Sequence, residues 1–458
     1  MVSRLTDIRR YSTNVPDIAM SFSDRRFAYG PFAPHYIPRQ YIEGYFSHHK
    51  TDALLVLSTT VEDVSRVSDD DSQWRLTLRR YDPIQHLDVW WQDTFDAVIL
   101  ANGHYSVPYV RLPPSPPPKK HSQTLAILRY YTVHPPTLLR APQIPHVSGL
   151  QEYMAAFPNK VTHSKSYRTP HLYAGQKVLV IGNSASGHDI AAELATTASL
   201  PVHQSRRSPS RWDGPAPRPG IAWKPVVAAY LAGSGAIVFS DGSTLGPDDV
   251  DAVIYCTGYK PSFPFWNASS SAAGGSALYD HAEGRLVGAY WHTFFRGRQK
   301  NNLAVVGMPR VLTFRSFEYQ AVALARLWSG RSTQGLPSEE AQERWETERA
   351  ERTRRQGRRF HDISWDDGET MEWLEGLFRI AGLGTLKGDG RLPPALGEDV
   401  IWAVEHLKKY PEPGKGEGDG DGGEKTEKSV SESQVDEEDD GWVVVNRSVD
   451  VKDSLAFI

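Results

Sequence analysis

The sequence contains a single cysteine, Cys256, among 458 residues. One thiol cannot form a disulfide framework, a Cys-x-x-Cys redox pair or a cysteine-based zinc site, so these kinds of site are excluded. No apolar run approaches the ~18 residues needed to span a bilayer. The best candidate, residues 225–239, is broken by Gly233 and Gly235 and predicts a core strand or helix. Because the N-terminus also has no apolar signal-peptide core, we expect a cytoplasmic protein without a membrane span.

A basic excess is also missing. The chain has 51 Lys and Arg against 55 Asp and Glu, a formal net charge of −4. Nucleic acid is therefore not an expected partner. The length allows two or three domains.

Local patterns predict mixed α and β elements. An amphipathic helix is expected over residues 39–49, strands over 53–67 and 73–82, and a buried strand at the start of 95–110. Residues 336–380 read as helical, with Glu and Arg interleaved. We interpret the basic cluster there as a solvated helix face.

Three segments do not fit a compact domain. Residues 111–141 are rich in proline and without period, which is typical of a disordered insert. Residues 411–441 are acidic and rich in glycine, and are expected to be disordered as well. The last segment, 442–458, is a docking peptide or a strand added to a sheet edge, and no feature of the sequence decides between them.

The stretch "KVLVIGNSASGHDIAAEL", residues 177–194, predicts a strand, a glycine-bounded turn and a helix. Gly182 allows a tight exit from the strand, Gly187 allows close helix packing, and Ser184 stands where a dinucleotide fingerprint has its second glycine. The helix N-terminus then favours a pyrophosphate. An ordinary strand–helix turn is the alternative. We predict cofactor contacts at Gly182, Asn183, Ser184, Ala185, Ser186 and Gly187.

About twenty residues further on, a dinucleotide site places an acid for the ribose or an arginine for a 2′-phosphate. The stretch "PVHQSRRSPSRW", residues 201–212, has no acid and offers Arg206 and Arg207, with Arg211 close behind. Guanidinium groups suit phosphate, so this pattern favours NADPH over NADH, with Arg206 as first choice. Surface charge in a loop is the alternative.

The flanking segment "FPNKVTHSKSYR" then indicates a family. Phe157, His163 and Tyr167 fall in register with the motif Phe-x-Gly-x-x-x-His-x-x-x-Tyr/Phe, with Asn159 in place of its glycine. In this the chain resembles the flavin-containing monooxygenases, the class B flavoprotein monooxygenases. The resemblance implies a structural role for His163 between domains, and Tyr167 favours oxygenation of nitrogen or sulfur.

Other segments carry the same resemblance. Residues 9–24 resemble the family stretch in which a Thr-Asn pair lies beside flavin and nicotinamide, residues 101–110 and 255–259 the two passages between nucleotide domains, and residues 308–328 the return to the flavin domain, with a helix beginning near Phe317. By this resemblance, further cofactor-binding residues are Thr13, Asn14, Val15, Val61, Ala101, Asn102, Gly103, Thr257 and Gly258.

The implied fold is α/β, with two nested dinucleotide-binding, Rossmann-like domains containing parallel sheets. The expected parts are a first FAD-binding part (1–110), a linker carrying the motif (142–170), an NADP-binding domain (171–260), and the rest of the FAD domain with C-terminal helices (261–400).

The chain departs from the family in two respects. It does not open with the family's Gly-x-Gly-x-x-Gly turn, so we expect an FAD domain incomplete at its N-terminus, with an exposed sheet edge and poor solubility. Removing residues 111–141 restores the family's continuous passage. Both features favour a truncated or mis-assembled gene model, and a natural divergent member is the alternative.

The resemblance implies an NADPH- and FAD-dependent monooxygenase. It inserts one atom of O2 into a soft small-molecule nucleophile, an amine or a thiol or sulfide, through a flavin C4a-hydroperoxide. Asn14 is the candidate catalytic residue, because its amide both donates and accepts hydrogen bonds. A non-catalytic NADP-binding remnant is the alternative. The substrate and the oligomeric state stay open.

Overall fold

The structure is a computed structural model. It describes residues 12–27, 29–34, 36–67, 73–105, 107–108, 147–210, 213–266, 277–297, 302–309, 311–383, 396–407 and 409. The predictions for segments 111–141, 411–441 and 442–458, and for Arg211, lie outside the described residues.

Eight α-helices occur in the described ranges. The predicted helices at 39–49 and near Phe317 are confirmed as α2 and α5, whereas 336–380 forms two helices, α6 and α7. The helices are α1 (Asp17–Met20), α2 (Tyr36–His48), α3 (Leu150–Ala156), α4 (Ala185–Leu194), α5 (Phe314–Trp328), α6 (Glu339–Arg355), α7 (Glu369–Ala381) and α8 (Glu398–His406). Short 3-10 turns occur at Asp52–Leu54, Ser164–Ser166, Pro170–Tyr173 and Pro247–Asp249.

The strands of the same ranges form several small sheets. They are β1 (Thr59–Arg66), β2 (Trp74–Asp82), β3 (Leu87–Phe95), β4 (Val98–Leu100), β5 (Val107–Pro108), β6 (Val161–His163), β7 (Lys177–Ile181), β8 (Ser199–Ser205), β9 (Ile221–Lys224), β10 (Val227–Leu231), β11 (Ala236–Phe239), β12 (Thr244–Leu245), β13 (Ala252–Tyr255), β14 (Tyr259–Lys260), β15 (Tyr279–Asp280), β16 (Arg285–Leu286), β17 (Ala289–Tyr290), β18 (Phe294–Phe295) and β19 (Leu303–Val305).

The largest sheet is parallel throughout and has five strands in the order β6-β13-β7-β8-β9. Strand β7, the turn after it, helix α4 and strand β8 form a βαβ unit, and the strand, turn and helix predicted over 177–194 are confirmed. Successive residues of a strand face opposite sides of the sheet. Val178 and Val180 accordingly pack with Ile190 on the α4 side, while Leu179 packs with the cluster on the other side. Both faces are therefore buried, which explains why β7 is apolar without alternation.

The opposite face of this sheet is covered by α3 and by an antiparallel hairpin. The hairpin consists of β10 and β11, so the apolar stretch at 225–239 forms core strands rather than a helix. Tyr153 of α3 and Tyr230 of β10 are both almost completely buried there. In the described part of the chain, no helix is both long and apolar enough to cross a membrane.

A second parallel pairing joins distant parts of the chain. Strand β4 pairs in parallel with β19 in a four-stranded sheet of order β17-β18-β19-β4. An antiparallel sheet, β1-β2-β3, packs beside it through Val64 and Trp74. Helices α5 and α7 bury their apolar faces in one cluster that also contains Ala304 of β19. The first and last thirds of the chain thus share one core. In the sequence, the parallel five-stranded unit lies between them.

Three local predictions differ from the structure. The strand expected over 53–67 begins only at Thr59, after the 3-10 turn Asp52–Leu54, and β3 was not predicted. The expected solvated face of α6 is wrong for Arg349, whose side chain is buried and paired with Glu369 of α7. Its partner lies on the next helix, so the i, i+4 pattern of α6 alone does not reveal it.

Candidate functional site

The turn between β7 and α4 depends on two glycines. Gly182 has φ +113°, and a Cβ there would lie 2.6 Å from the Cys256 carbonyl oxygen. A Cβ at Gly187 would lie 2.1 Å from the Gly182 carbonyl oxygen, a distance that side chains do not tolerate. The two glycines therefore let the helix start directly against the strand end, as the sequence predicts.

Helix α4 presents its N-terminus at this turn. Ser184 is the N-cap residue, its side chain forms no capping hydrogen bond, and Ala185, Ser186 and Gly187 form the first helical turn. The first amides of a helix have no partners within the helix and carry a partial positive charge. This arrangement suits a phosphate group.

Arg206 follows the end of β8, beside this turn. Its guanidinium lies 3.4 Å from the Trp223 ring centroid and donates to Asp213 Oδ2 at 3.1 Å. The surrounding surface concavity of about 290 Å³ is lined by Arg206, Arg207, Ser208, Pro209, Trp223, Lys224 and Pro225. Three cationic side chains at one depression fit an anionic group such as a nucleotide 2′-phosphate.

Asp213 is an acid that the sequence pattern does not indicate. It directly follows the stretch 201–212, which contains no acid, and its side chain is 4% exposed. Asn183 of the nucleotide turn donates to Asp213 Oδ2 at 2.6 Å and to the Ser208 carbonyl at 2.8 Å. The turn and the arginine loop are thus joined through one carboxylate, a contact that no local pattern indicates.

The passage after β13 lies against the turn as well. Cys256 is buried, and burial raises the pKa of its thiol to about 12, so it is inert packing next to Gly182 and Gly187. Among the described residues, Thr257 Oγ1 is buried without a hydrogen-bond partner, and Gly258 has φ +80° with no described atom within 4 Å of the place where a Cβ would stand. Buried hydroxyls normally find a partner. An added ligand group would supply one here.

The predicted flavin segment, residues 9–24, is described from Ser12 onward. Thr13 donates its backbone N–H to the Ala33 carbonyl at 2.8 Å, and Thr13 Oγ1 is a second buried hydroxyl that has no partner within the described ranges. Asn14 is exposed, and Val15 packs against two core clusters. Asn14 Oδ1 accepts a hydrogen bond from Lys409 Nζ at 3.2 Å. Its NH2 group is thereby left as the donating end of the amide.

Lys409 brings Asn14 next to α4. Besides Asn14, the Lys409 ammonium donates to Asp189 Oδ2 of α4 at 2.9 Å and to the Ser12 carbonyl at 3.1 Å. No local sequence pattern indicates Lys409, which is 395 positions from Asn14. The candidate catalytic amide and the candidate nucleotide helix therefore meet at one buried ammonium.

Residues 101–103 lie at the end of β4. Gly103 has φ +69°, and Asn102 Nδ2 donates to the Ser262 carbonyl at 2.9 Å. Strand β5 pairs with β14, which joins this passage to the one that follows β13. Ala101, Asn102 and Gly103 are exposed beside that junction. Val61 instead lies on β1 opposite Leu78, so its cofactor role stays a prediction.

Within the described residues, the contacts of the linker motif indicate a structural role. Burial lowers the pKa of His163 to about 4, so the ring is neutral; its Nδ1 accepts from Lys165 N, and its ring contacts Tyr259 edge-on. Asn159 has φ +66°, the left-handed region in which glycine and asparagine are favoured. Asparagine therefore fulfils the conformational requirement of the motif's glycine.

Comparison with known proteins agrees with this geometry. Residues 138–212 match the family model described as flavin-binding monooxygenase-like. A flavin-containing monooxygenase of Arabidopsis thaliana, FMO GS-OX5, is 28% identical over 339 residues, 72% of this chain and 61% of that protein. The flavin-containing monooxygenase iboF of Amanita muscaria is 26% identical over 286 residues, 57% of this chain and 46% of that protein. The chain thus spans 61% and 46% of the length of these two relatives.

Among solved structures, S-allyl-L-cysteine S-oxygenase from Allium sativum superimposes with a TM-score of 0.64 at 22% identity. The match covers 87% of this chain and 77% of the other. This likeness confirms the predicted α/β fold with Rossmann-type units.

Proposed function

This chain is a relative of the flavin-containing monooxygenases, and from that premise we propose that it is an NADPH- and FAD-dependent monooxygenase. The proposed reaction inserts one oxygen atom of O2 into a soft nucleophile, an amine or a thiol or sulfide. NADPH is the proposed electron donor: its two electrons, with two protons, reduce the second oxygen atom, which leaves as water.

The observation that carries this proposal is the meeting of Asn14 and α4 at Lys409. Hydride transfer between two dinucleotides requires their reactive rings to touch, so the two binding segments must adjoin. Lys409 donates one hydrogen bond to Asn14 at 3.2 Å and another to Asp189 at 2.9 Å, so a single side chain contacts both segments.

On the nucleotide side, the residues present fit NADPH. The amides of Ser184 to Gly187 at the start of α4 would take the pyrophosphate. Arg206 and Arg207 would take the 2′-phosphate, because a guanidinium donates to phosphate oxygens in a fork geometry. Asn183 holds the turn to the arginine loop, so both phosphate sites keep a fixed spacing.

On the flavin side, the fit rests on two unpartnered hydroxyls. Among the described residues, Thr13 Oγ1 and Thr257 Oγ1 are buried without hydrogen-bond partners. By the resemblance, Thr13 lies beside flavin and nicotinamide, and Thr257 lies in a passage between the nucleotide domains. FAD, when bound, supplies the oxygen-activating chemistry, and the protein positions and shields it. Asn14 would present its NH2 group as a donor while Lys409 holds its carbonyl oxygen.

Sulfur is the favoured target within the proposed substrate class. The superimposed Allium sativum structure is named an S-oxygenase, and Tyr167 closes the linker motif where the resemblance favours nitrogen or sulfur oxygenation. In the described residues, Tyr167 donates to Glu193 Oε2 of α4 at 2.9 Å and packs in the core below that helix. Its influence on the reaction would therefore be through the position of α4.

The visible absorption spectrum of the purified full chain, before and after incubation with FAD, tests the proposal. We expect bound-flavin bands that NADPH bleaches and air restores, with a sulfide converted to its sulfoxide in the same mixture. A colourless protein that still binds NADP+ would overturn the monooxygenase proposal and leave a nucleotide-binding protein.

A further inference from the structure

Asp213 occupies an unusual place for a carboxylate. It lies in the loop whose arginines are proposed to take the 2′-phosphate, and one of its oxygens accepts three hydrogen bonds. The donors are Asn183 Nδ2 at 2.6 Å, the Ser210 backbone N–H at 2.9 Å and Arg206 at 3.1 Å. With 4% of its side chain exposed, Asp213 is an ordered part of the site rather than a surface charge.

The carboxylate acts on Arg206 in two ways. It fixes the guanidinium against the Trp223 face, which prepares the arginine for a ligand at its open edge. It also places a negative charge beside the one cation best placed to receive a phosphate. A 2′-phosphate and Asp213 would then compete for the same guanidinium, while a ribose without that phosphate meets no such repulsion.

We propose that Asp213 is a specificity-determining residue, which reduces the preference of this site for NADP over NAD. The inference rests on the proposed dinucleotide site at the β7–α4 turn. Arg206, Arg207 and Lys224 attract the 2′-phosphate, and Asp213 offsets part of that attraction.

Replacing the carboxylate by an amide separates charge from geometry. In Asp213→Asn a carbonyl oxygen remains to accept from Arg206, Asn183 and Ser210, so the loop keeps its anchor. The negative charge is lost, and an NH2 group replaces the other oxygen, Oδ1, while all three hydrogen bonds end on Oδ2. At the effective dielectric of a partly exposed site, removing one charge next to a phosphate changes affinity about tenfold.

Calorimetric titration of the full chain with NADP+ and with NAD+ tests this. For Asp213→Asn we expect the Kd for NADP+ to fall about tenfold, with the Kd for NAD+ within about twofold of wild type. Glu152→Gln, an exposed charge removal on α3, is the matched control and should change neither Kd. Equal changes for both nucleotides, no change, or weaker NADP+ binding in Asp213→Asn would overturn the proposal.

A second pair of variants provides the test if Asp213→Asn does not fold. Asp213→Glu and Asp213→Gln have the same length and differ only in charge, so the Gln variant should show the higher ratio of NADP+ to NAD+ affinity. Equal ratios in this pair would contradict the proposal. Nucleotide binding does not depend on flavin. If the protein shows no flavin spectrum but the Kd values for NADP+ and NAD+ change as expected, only the proposed monooxygenase function is overturned. Absence of binding for both nucleotides in wild type would overturn both proposals.

Discussion

Lys409 and Asn14 are joined by a hydrogen bond of 3.2 Å between Nζ and Oδ1, although they lie near opposite ends of the described chain. The bond fixes which end of the Asn14 amide accepts. Helix α8 delivers Lys409 to this position by packing on α1, three residues after Asn14. The C-terminal part of the chain therefore completes the candidate site instead of merely covering it.

Asn14→Ala should uncouple NADPH oxidation from product formation. The variant loses the donor proposed to face the flavin, so more reduced cofactor should end as hydrogen peroxide. We expect the peroxide fraction per NADPH consumed to rise several-fold, measured by oxygen uptake with and without catalase. Gln92→Ala, which removes an exposed amide from β3, is the control. An unchanged peroxide fraction in Asn14→Ala would remove Asn14 from the mechanism.

The ion pair of Lys409 and Asp189 should be energetically coupled. Their side chains are 8% and 13% exposed, so removing one partner leaves a poorly solvated charge. Lys409→Met and Asp189→Asn should each destabilise the protein, by about 2 kcal/mol or more, with a double variant no worse than either single one. Urea unfolding of all four proteins measures the coupling. Strictly additive losses would show that the bridge between the two segments does not hold them together.

Gly187 should be far more sensitive to alanine than a glycine in open space. A Cβ at Gly187 would lie 2.1 Å from the Gly182 carbonyl oxygen, and φ is not positive there, so the effect is purely steric. We expect Gly187→Ala to cost about 2 kcal/mol or more and to weaken NADP+ binding, because α4 must move away from the turn. Gly233→Ala, with no atom of the described residues within 4 Å of the new Cβ, should be nearly neutral. Similar unfolding free energies for the two variants would contradict the close packing.

The sequence identifies what local chemistry dictates. The β7–α4 turn can be predicted because an apolar strand and two glycines lie within a few residues. Arg206 can be predicted because it follows the next strand at a fixed spacing. The sequence does not predict the contacts of Asp213 and Lys409 or the burial of Arg349. Each of these depends on a partner residue that folding brings from a separate segment. Asn159 lies between these cases: its conformation explains a substitution that the motif alone presents as a mismatch.

Acid should destabilise the fold through its buried histidines. Burial, then the nearby Lys165 charge, lowers the pKa of His163 to about 4; burial and Arg349 hold the pKa of His292 well below its usual value. Unfolding returns both pKa values to about 6.5, so below that pH the unfolded chain binds more protons. Stability is thus unaffected above pH 6.5 and falls as pH drops from 6.5 towards 4.

His163→Asn isolates the contribution of His163 to this acid sensitivity. The Asn side-chain oxygen can still accept from Lys165 N, but the side chain no longer titrates. We expect the loss of unfolding free energy between pH 7 and pH 4.5 to be smaller in the variant by about 2 kcal/mol. Parallel urea titrations at the two pH values measure it. An identical pH dependence in both proteins would show that His163 titrates normally in the folded state.

Arg206→Ala should weaken NADP+ binding far more than NAD+ binding. The guanidinium is held between Trp223 and Asp213 with 23% of its side chain exposed, so it is preorganised for one phosphate. Loss of a charge-assisted, forked contact corresponds to roughly 2 kcal/mol, about thirtyfold in Kd, for NADP+ alone. Arg207→Ala should have a smaller effect, because Arg207 is more exposed and its charge is better screened by solvent. Calorimetry with both nucleotides gives the ratios directly, and equal losses for NADP+ and NAD+ in Arg206→Ala would refute the assignment of the 2′-phosphate to this arginine.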